Sequence, residues 1–467
     1  MDLIVRNARI ADRPAEEPLD IGVAGGKIVT IERSLAEAGE IYDAGGRLAC
    51  GGLVETHIHL DKSRLIDRCP TEAGREISPM KQVAALKPSI TAEDVRARAE
   101  RTLVECILNG TTRMRTQVEV DPAIGMRGFD GVQSLIADYK WAIDIEICVF
   151  PQDGLTNYPG TDALLVEGLE RGARVIGGAP RYDTDHAGQI RRIFELVREY
   201  DVDIDIHLDV GNTPEAMDIH LVCELTELYG RGGRVVVGHM AKLSTMPSNQ
   251  LAVLAGRLAD VGVAVTVLPA TDLYLMGRDQ DHNVRRGVAD ANFLVGHGVN
   301  CSLSTNNVLN PATPYGDCSL IRMANLHANV LQIAAPAQLR ECFAMLTERS
   351  ARLLNLADYG LVIGNPADIV VIDAEPQSRQ WPRYANPSPA LSGGGRRWSA
   401  TLQNWFDRVE RGRACHGAVR RRRGRRAVAR RSAGADHVRH RPNGDRSREQ
   451  NRDNRLGRQQ SLSGRIS

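Results

Sequence analysis

Eight short apolar runs, spaced through residues 53–304 and separated by segments with helical periodicity, constrain this 467-residue chain more than any other feature. The runs are Leu53–His59, Thr111–Val120, Ile143–Phe150, Val175–Pro180, Val202–Asp209, Arg234–His239, Val263–Pro269 and Val299–Ser304. Between them, Ala92–Leu108, Asp162–Arg171, His186–Tyr200, Pro214–Tyr229 and Pro247–Val261 read as helices long enough to cover one strand each. Alternating βα units make parallel sheets, whose strands are buried on both faces and therefore apolar throughout. Eight such units predict a closed (β/α)8 barrel rather than an open doubly wound sheet.

The N-terminal 50 residues differ in character. Leu3–Ile10, Asp20–Val23, Lys27–Glu32 and Glu40–Asp43 read as short strands, punctuated by Gly25-Gly26 and Gly45-Gly46. A similar stretch follows the barrel, where Tyr359-Gly360-Leu361 leads through Asn365-Pro366 into the apolar run Ile369–Ile372. The expected fold is thus α/β: a TIM barrel at 51–350 and a small β-sandwich domain built from both ends, 1–50 and 351–375.

From residue 376 the composition changes. Residues 375–467 hold 23 Arg and no Lys, including Arg420-Arg421-Arg422-Arg423-Gly424-Arg425-Arg426. Such a segment buries too little apolar surface to offset its ordering entropy, so 376–467 is expected to be a disordered tail. A nucleic-acid-binding arm is disfavoured, because no aromatic interleaving or folded module accompanies the charge. Arg without Lys also resembles a GC-rich gene read in a shifted frame. The net charge of +1 hides an acidic body ahead of this basic end.

No run of about 18 uncharged apolar residues exists, and Met1-Asp2-Leu3-Ile4-Val5-Arg6-Asn7 lacks the basic-then-apolar order of a signal peptide. A cytoplasmic location without membrane contact is expected. The nine Cys are scattered singly without a CxxC pair, the pattern of buried small hydrophobes in a reducing compartment. No phosphate loop, GxGxxG or nucleophile elbow has the required spacing.

Chemistry concentrates at strand ends. Glu55-Thr56-His57-Ile58-His59-Leu60-Asp61-Lys62 closes the first barrel strand. Residues two apart project to one face of a strand, so His57 and His59 both point into the barrel mouth, where two imidazoles can share a divalent ion. His207 closes the fifth strand as a third candidate ligand. His239 closes the sixth, as a ligand or a hydrogen-bond donor to substrate or water. His186, His220, His282, His297 and His327 lie in helical or loop contexts and read as structural.

With these residues, with Phe150-Pro151-Gln152-Asp153-Gly154 and with Val308-Leu309-Asn310-Pro311 after the eighth strand, residues 1–374 resemble the cytosine deaminase branch of the amidohydrolase superfamily and its isopropylammelide amidohydrolases. The resemblance implies one divalent metal ion (Zn, Fe or Mn) on His57, His59 and His207, and a small heterocyclic substrate in a homo-oligomer. It also implies that Gln152 holds the heterocycle, that His239 polarises the bond under attack, and that Lys62 stabilises negative charge as in the triazine-degrading subgroup. Dihydroorotase-like relatives need a carboxylated Lys on the fourth strand, which Val175–Pro180 lacks.

Two departures matter. The family's proton-shuttling Glu, three residues past the strand-five His, is here Val210, and its strand-eight Asp falls in Ser304-Thr305-Asn306-Asn307. Asn306 can ligate only through a neutral carbonyl oxygen and cannot serve as a base; it is expected on the metal in the Asp's place, with Asn307 against the substrate. Asp209 is the first candidate for the missing base, beside Asp61, Asp272 and Asp317. Alternatively the leaving group departs as a stable anion such as nitrite or chloride and needs no protonation. The expected reaction is hydrolysis of an exocyclic C–N bond by metal-activated water. Hydrolytic dehalogenation, ring-amide hydrolysis and a non-catalytic homologue are the alternatives.

Overall fold

The computed structural model describes residues 1–13, 17–37, 39–69, 78–373 and 386–387. The chain opens with five short strands: β1 (Leu3–Ile10), β2 (Leu19–Ala24), β3 (Lys27–Glu32), β4 (Glu40–Asp43) and β5 (Leu48–Gly51). β1 belongs to both layers of this domain. Its first half pairs with β2 and β4, and its end, Arg9 and Ile10, pairs with β5. The change of partner falls where the β1–β2 register shifts between Val5 and Ala8, and Asn7 there adopts φ 55 with its N–H on Asp20 Oδ1. An extra residue in left-handed geometry, which Asn tolerates, bends a strand, and here it lets one sheet fold over itself.

All eight apolar runs form parallel barrel strands: β6 (Leu53–Ile58), β7 (Thr111–Glu119), β8 (Asp144–Phe150), β9 (Val175–Gly178), β10 (Asp203–Leu208), β11 (Val235–His239), β12 (Val263–Val267) and β13 (Cys301–Leu303). They are hydrogen-bonded in chain order, as consecutive βα units require. The ring closes through Asn306, whose backbone N–H donates to His57 O at 2.9 Å while its carbonyl accepts from His59 N at 2.8 Å. Helices cover the outside. His186–Tyr200, for example, buries Ile190, Ile193, Phe194 and Val197 and is capped by Asp185, whose side chain accepts from Gly188 N. A fully buried apolar side chain of this size contributes roughly 1.5–3 kcal/mol. The helix Arg127–Tyr139 supplies the cover between the second and third strands that the sequence reading omitted.

After the barrel, the helix Glu348–Leu353 spans the boundary expected at 350/351. Ala351, Leu353 and Leu354 pack on Val54, Val236 and Ala264. Only then does β14 (Ile369–Asp373) pair antiparallel with β5. Leu361, Ala367, Ile369 and Val371 share one core with Val5, Ile21, Val23, Ile28 and Ala49, so the small sheet domain draws on both sides of the barrel. Apart from Asn386–Pro387, which pairs with β14, the expected tail lies outside the described residues. Among the described residues eight Cys are free and buried, and no helix is long and apolar enough to cross a membrane.

His327, in the helix Leu320–Val330, is a core histidine: it is fully buried, its Nε2 lies 3.3 Å from Asn292 Oδ1, and burial lowers its pKa from 6.5 to about 4. A depressed histidine pKa favours the folded state above pH 6.5, and that contribution drains away as pH falls toward 4. Urea midpoints measured across this window should fall with pH in the native chain and fall less steeply in His327→Gln; parallel slopes would contradict the assignment.

Candidate active site

Three imidazoles meet at the C-terminal end of the barrel. His57 lies in β6, His59 just beyond it and His207 in β10. The Nε2 atoms of His57 and His59 are 3.1 Å and 3.0 Å from His207 Nε2. The opposite nitrogens fix where the protons sit. His57 Nδ1 faces the Asp205 carboxylate at 3.1 Å and His207 Nδ1 faces the Gly178 carbonyl at 3.3 Å, so each must donate from Nδ1 and leave Nε2 as a bare lone pair. Burial holds all three rings below the ordinary histidine pKa, and for His59 the Lys62 charge adds to this. Converging lone pairs repel unless a cation lies between them, so His57, His59 and His207 fit a metal ion.

The surroundings hold the rings in place. Arg115, fully buried, donates to Glu146 Oε1 at 2.6 Å and reaches Asp205 Oδ2 at 3.4 Å, so the carboxylate behind His57 has its own partner. The Gln117 amide nitrogen lies 3.2 Å from His57 Nδ1, with its Oε1 buried and without a partner. Gly238 leaves room for the His57 ring, since a Cβ there would lie 3.1 Å from its Cε1. Phe150 stacks on His207 with ring centroids 4.8 Å apart. Neither Asp205 nor Arg115 was singled out from the sequence.

His239 stands beside this cluster, its ring centroid 5.6 Å from that of His207. Its Nδ1 is 2.5 Å from Asp272 Oδ1, and its Nε2 is 3.4 Å from Asn306 Nδ2. Asn306 Oδ1 is a buried acceptor without a partner. Both residues have left-handed backbones, φ 73 at His239 and φ 61 at Asn306, a strained geometry for non-glycine residues that recurs at functional sites.

On the other side, buried Lys62 donates to Gln152 Oε1 at 2.7 Å, lies 3.4 Å from Glu119 Oε2 and sits 5.1 Å from the Phe150 ring centroid. Glu119, Asp121 and Asp153 also have cation-ligand geometry, but the Lys87 ammonium already occupies it, 2.5 Å from both Asp121 Oδ2 and Asp153 Oδ2.

Several expected groups lie elsewhere. Asp209 uses both carboxylate oxygens on the backbone N–H groups of Asp218 and Ile219, with Lys242 Nζ 3.4 Å away, so it ties down the loop ahead of the helix Ile219–Leu228 and offers no free base. Asn307 Oδ1 accepts from Asn310, which in turn bonds the Lys62 carbonyl. Asp61 accepts from the backbone of Lys62 and Glu119, and Asp317 from Ser319 and Arg322. Of the four carboxylates proposed as replacement base, Asp272 reaches the site through His239, and Asp61 Oδ1 lies 4.0 Å from His59 Nδ1 while both its oxygens serve backbone N–H groups.

The family model described as "Amidohydrolase family" matches residues 64–389. The chain belongs to the amidohydrolase family. This amidohydrolase is 26% identical over 393 residues to the N-isopropylammelide isopropyl amidohydrolase of Pseudomonas sp., covering 81% of this chain and 92% of that one. It is 25% identical over 380 residues to the pterin deaminase of Rhizobium rhizogenes, covering 79% and 85%. Among solved structures it resembles the 5-methylcytosine deaminase of Klebsiella pneumoniae liganded with 5-fluorocytosine, with a TM-score of 0.78, 27% identity, and 84% and 96% of the two chains covered.

A carboxylate that orients a metal-binding imidazole typically changes metal affinity by roughly 10–100-fold. Asp205→Asn is therefore expected to weaken zinc binding by that order in chelator competition, with the fold intact by circular dichroism. Wild-type affinity would show that Asp205 does not orient His57.

Proposed function

We propose that this amidohydrolase removes an exocyclic nitrogen substituent, amine or nitro, from a small nitrogen heterocycle by metal-assisted attack of water. The observation that carries this reading is the convergence of the Nε2 atoms of His57, His59 and His207, with an ammonium–amide pair and a His–Asp pair nearby. The names of its relatives, an isopropylammelide amidohydrolase, a pterin deaminase and a 5-methylcytosine deaminase, support a nitrogen-ring substrate.

One divalent ion, zinc, iron or manganese, held by the three histidines with Asn306 Oδ1 as a neutral fourth donor, would supply the Lewis acidity that makes water nucleophilic near neutral pH. His239 is the base. With its Nδ1–H on Asp272, its Nε2 carries the lone pair that takes the proton from the attacking water, and the carboxylate stabilises the imidazolium that results.

Lys62 and Gln152 bind the ring. Because Gln152 Oε1 is taken by the Lys62 ammonium, its N–H2 is left to donate, and both residues can offer donors to an acceptor edge or to charge building on the ring. Val210 supplies no acid to the departing group, which favours a group able to leave as an anion, nitrite above all.

Incubation with amino- and nitro-substituted imidazoles, pyrimidines and triazines should release ammonia, an alkylamine or nitrite; release of chloride alone from halogenated rings would contradict the leaving group. His57→Ala should lose metal and turnover together, and full activity in a metal-free variant would eliminate the mechanism. Replacing His239 or Asp272 by Asn should lower kcat by about 10²–10⁴-fold, the usual worth of a general base, while metal content is kept. An unchanged kcat would remove the pair from the chemistry.

A further inference from the structure

Lys87 lies in none of the barrel strands, yet its ammonium is buried beneath the mouth. It follows the helix Pro79–Leu86, in the loop that joins the first barrel strand to its covering helix. Its backbone carbonyl is pinned by Arg127, and its Nζ meets three carboxylates: Asp121 and Asp153, which follow the second and third strands, and Glu119 Oε1. Glu119 is thereby shared. Its other oxygen, Oε2, is 3.4 Å from Lys62 Nζ, which makes its closer contact, 2.7 Å, with the neutral amide of Gln152. Val83, Ile90, Val95 and Ile124 line the small cavity beside these charges and keep the surroundings apolar.

A buried ammonium offered a carboxylate and an amide at comparable reach is drawn to the carboxylate, and more so in low dielectric. Lys62 donates to both, yet holds the amide at 2.7 Å and the carboxylate only at 3.4 Å. The difference lies in Glu119, whose charge is already engaged by a second cation: burial would raise its carboxyl, but Lys87 first and Lys62 second hold it at about 2, so it stays ionised and balanced between two lysines.

We propose that Lys87 is a positioning residue for the substrate pocket: by occupying Glu119 it keeps the Lys62 ammonium on Gln152, and so sets the donor pair that receives the ring. The assignment rests on the reading of Lys62 and Gln152 as substrate-facing, but the contact it predicts can be observed without any substrate. Lys87 also joins three loop ends, with Asp153 adjacent in sequence to Gln152, so one ammonium fixes both halves of that pair.

The test is a set of crystal structures of the zinc-loaded full chain. In Lys87→Met, Lys62 Nζ should leave Gln152 Oε1 and close on Glu119, shortening the existing 3.4 Å ion pair to about 2.7–2.9 Å. In Lys87→Arg, which keeps a cation, it should stay on Gln152. In the double variant Lys87→Met/Glu119→Gln, with no charge at position 119 to attract it, Lys62 should return to Gln152. Zinc content at the wild-type level in all three would separate this outcome from damage to the histidine cluster. Lys62 remaining on Gln152 in Lys87→Met, or leaving it equally in the double variant, overturns the proposal. Should Lys87→Met not fold, Lys87→Gln with and without Glu119→Gln decides by the same comparison.

Discussion

Three imidazole Nε2 atoms gathered at the end of the barrel, those of His57 and His207 fixed as lone pairs by the acceptors at Nδ1, are the constraint on which the rest of the site depends. Like partial charges 3.0–3.1 Å apart are unfavourable without a cation, so the protein must hold the rings there against their own repulsion. It does so with backbone. β6 and β10 are not neighbours in the sheet; only a closed barrel brings their ends together. The closing bonds run through Asn306, directly onto His57 and His59. Closure of the fold and placement of two ligands are thus the same set of hydrogen bonds.

Polar groups also fill part of the barrel interior. Arg115, Gln117 and Glu119 alternate along β7 and reach Asp205, His57 and Lys62 in turn. Unpaired, each would carry a heavy desolvation cost; paired, they fix the rings from behind and set the charge on each side of the mouth. Lys62 with Gln152 and His239 with Asp272 are two distinct hydrogen-bonded pairs near the histidine trio.

The barrel was legible because strands buried on both faces must be apolar, and the periodicity of two that puts His57 and His59 on one face needs nothing beyond the sequence. The same argument covers Asp205, which shares the His207 face of Val202–Asp209, and Arg115, Gln117 and Glu119 in Thr111–Val120, but their partners across the barrel are set by tertiary structure. Strand β5 was not legible, because Leu48–Gly51 is short, includes a glycine and gains its partners from β1 and a segment more than 300 residues later. Asp209, two residues past His207, is named from the sequence only as a carboxylate able to replace the missing base. The left-handed turn at φ 50 redirects it to the backbone amides of the next helix. Asp272 and Lys87 could be placed only by tertiary structure, since their partners come from other βα units.

Anomalous diffraction from crystals of the metal-loaded chain, recorded at the absorption edge of the bound ion, tests the central claim most directly. With zinc, one peak is expected about 2.0–2.1 Å from the Nε2 atoms of His57, His59 and His207, the usual zinc–imidazole distance. A peak placed elsewhere, or the three rings swung apart around empty density, would contradict it.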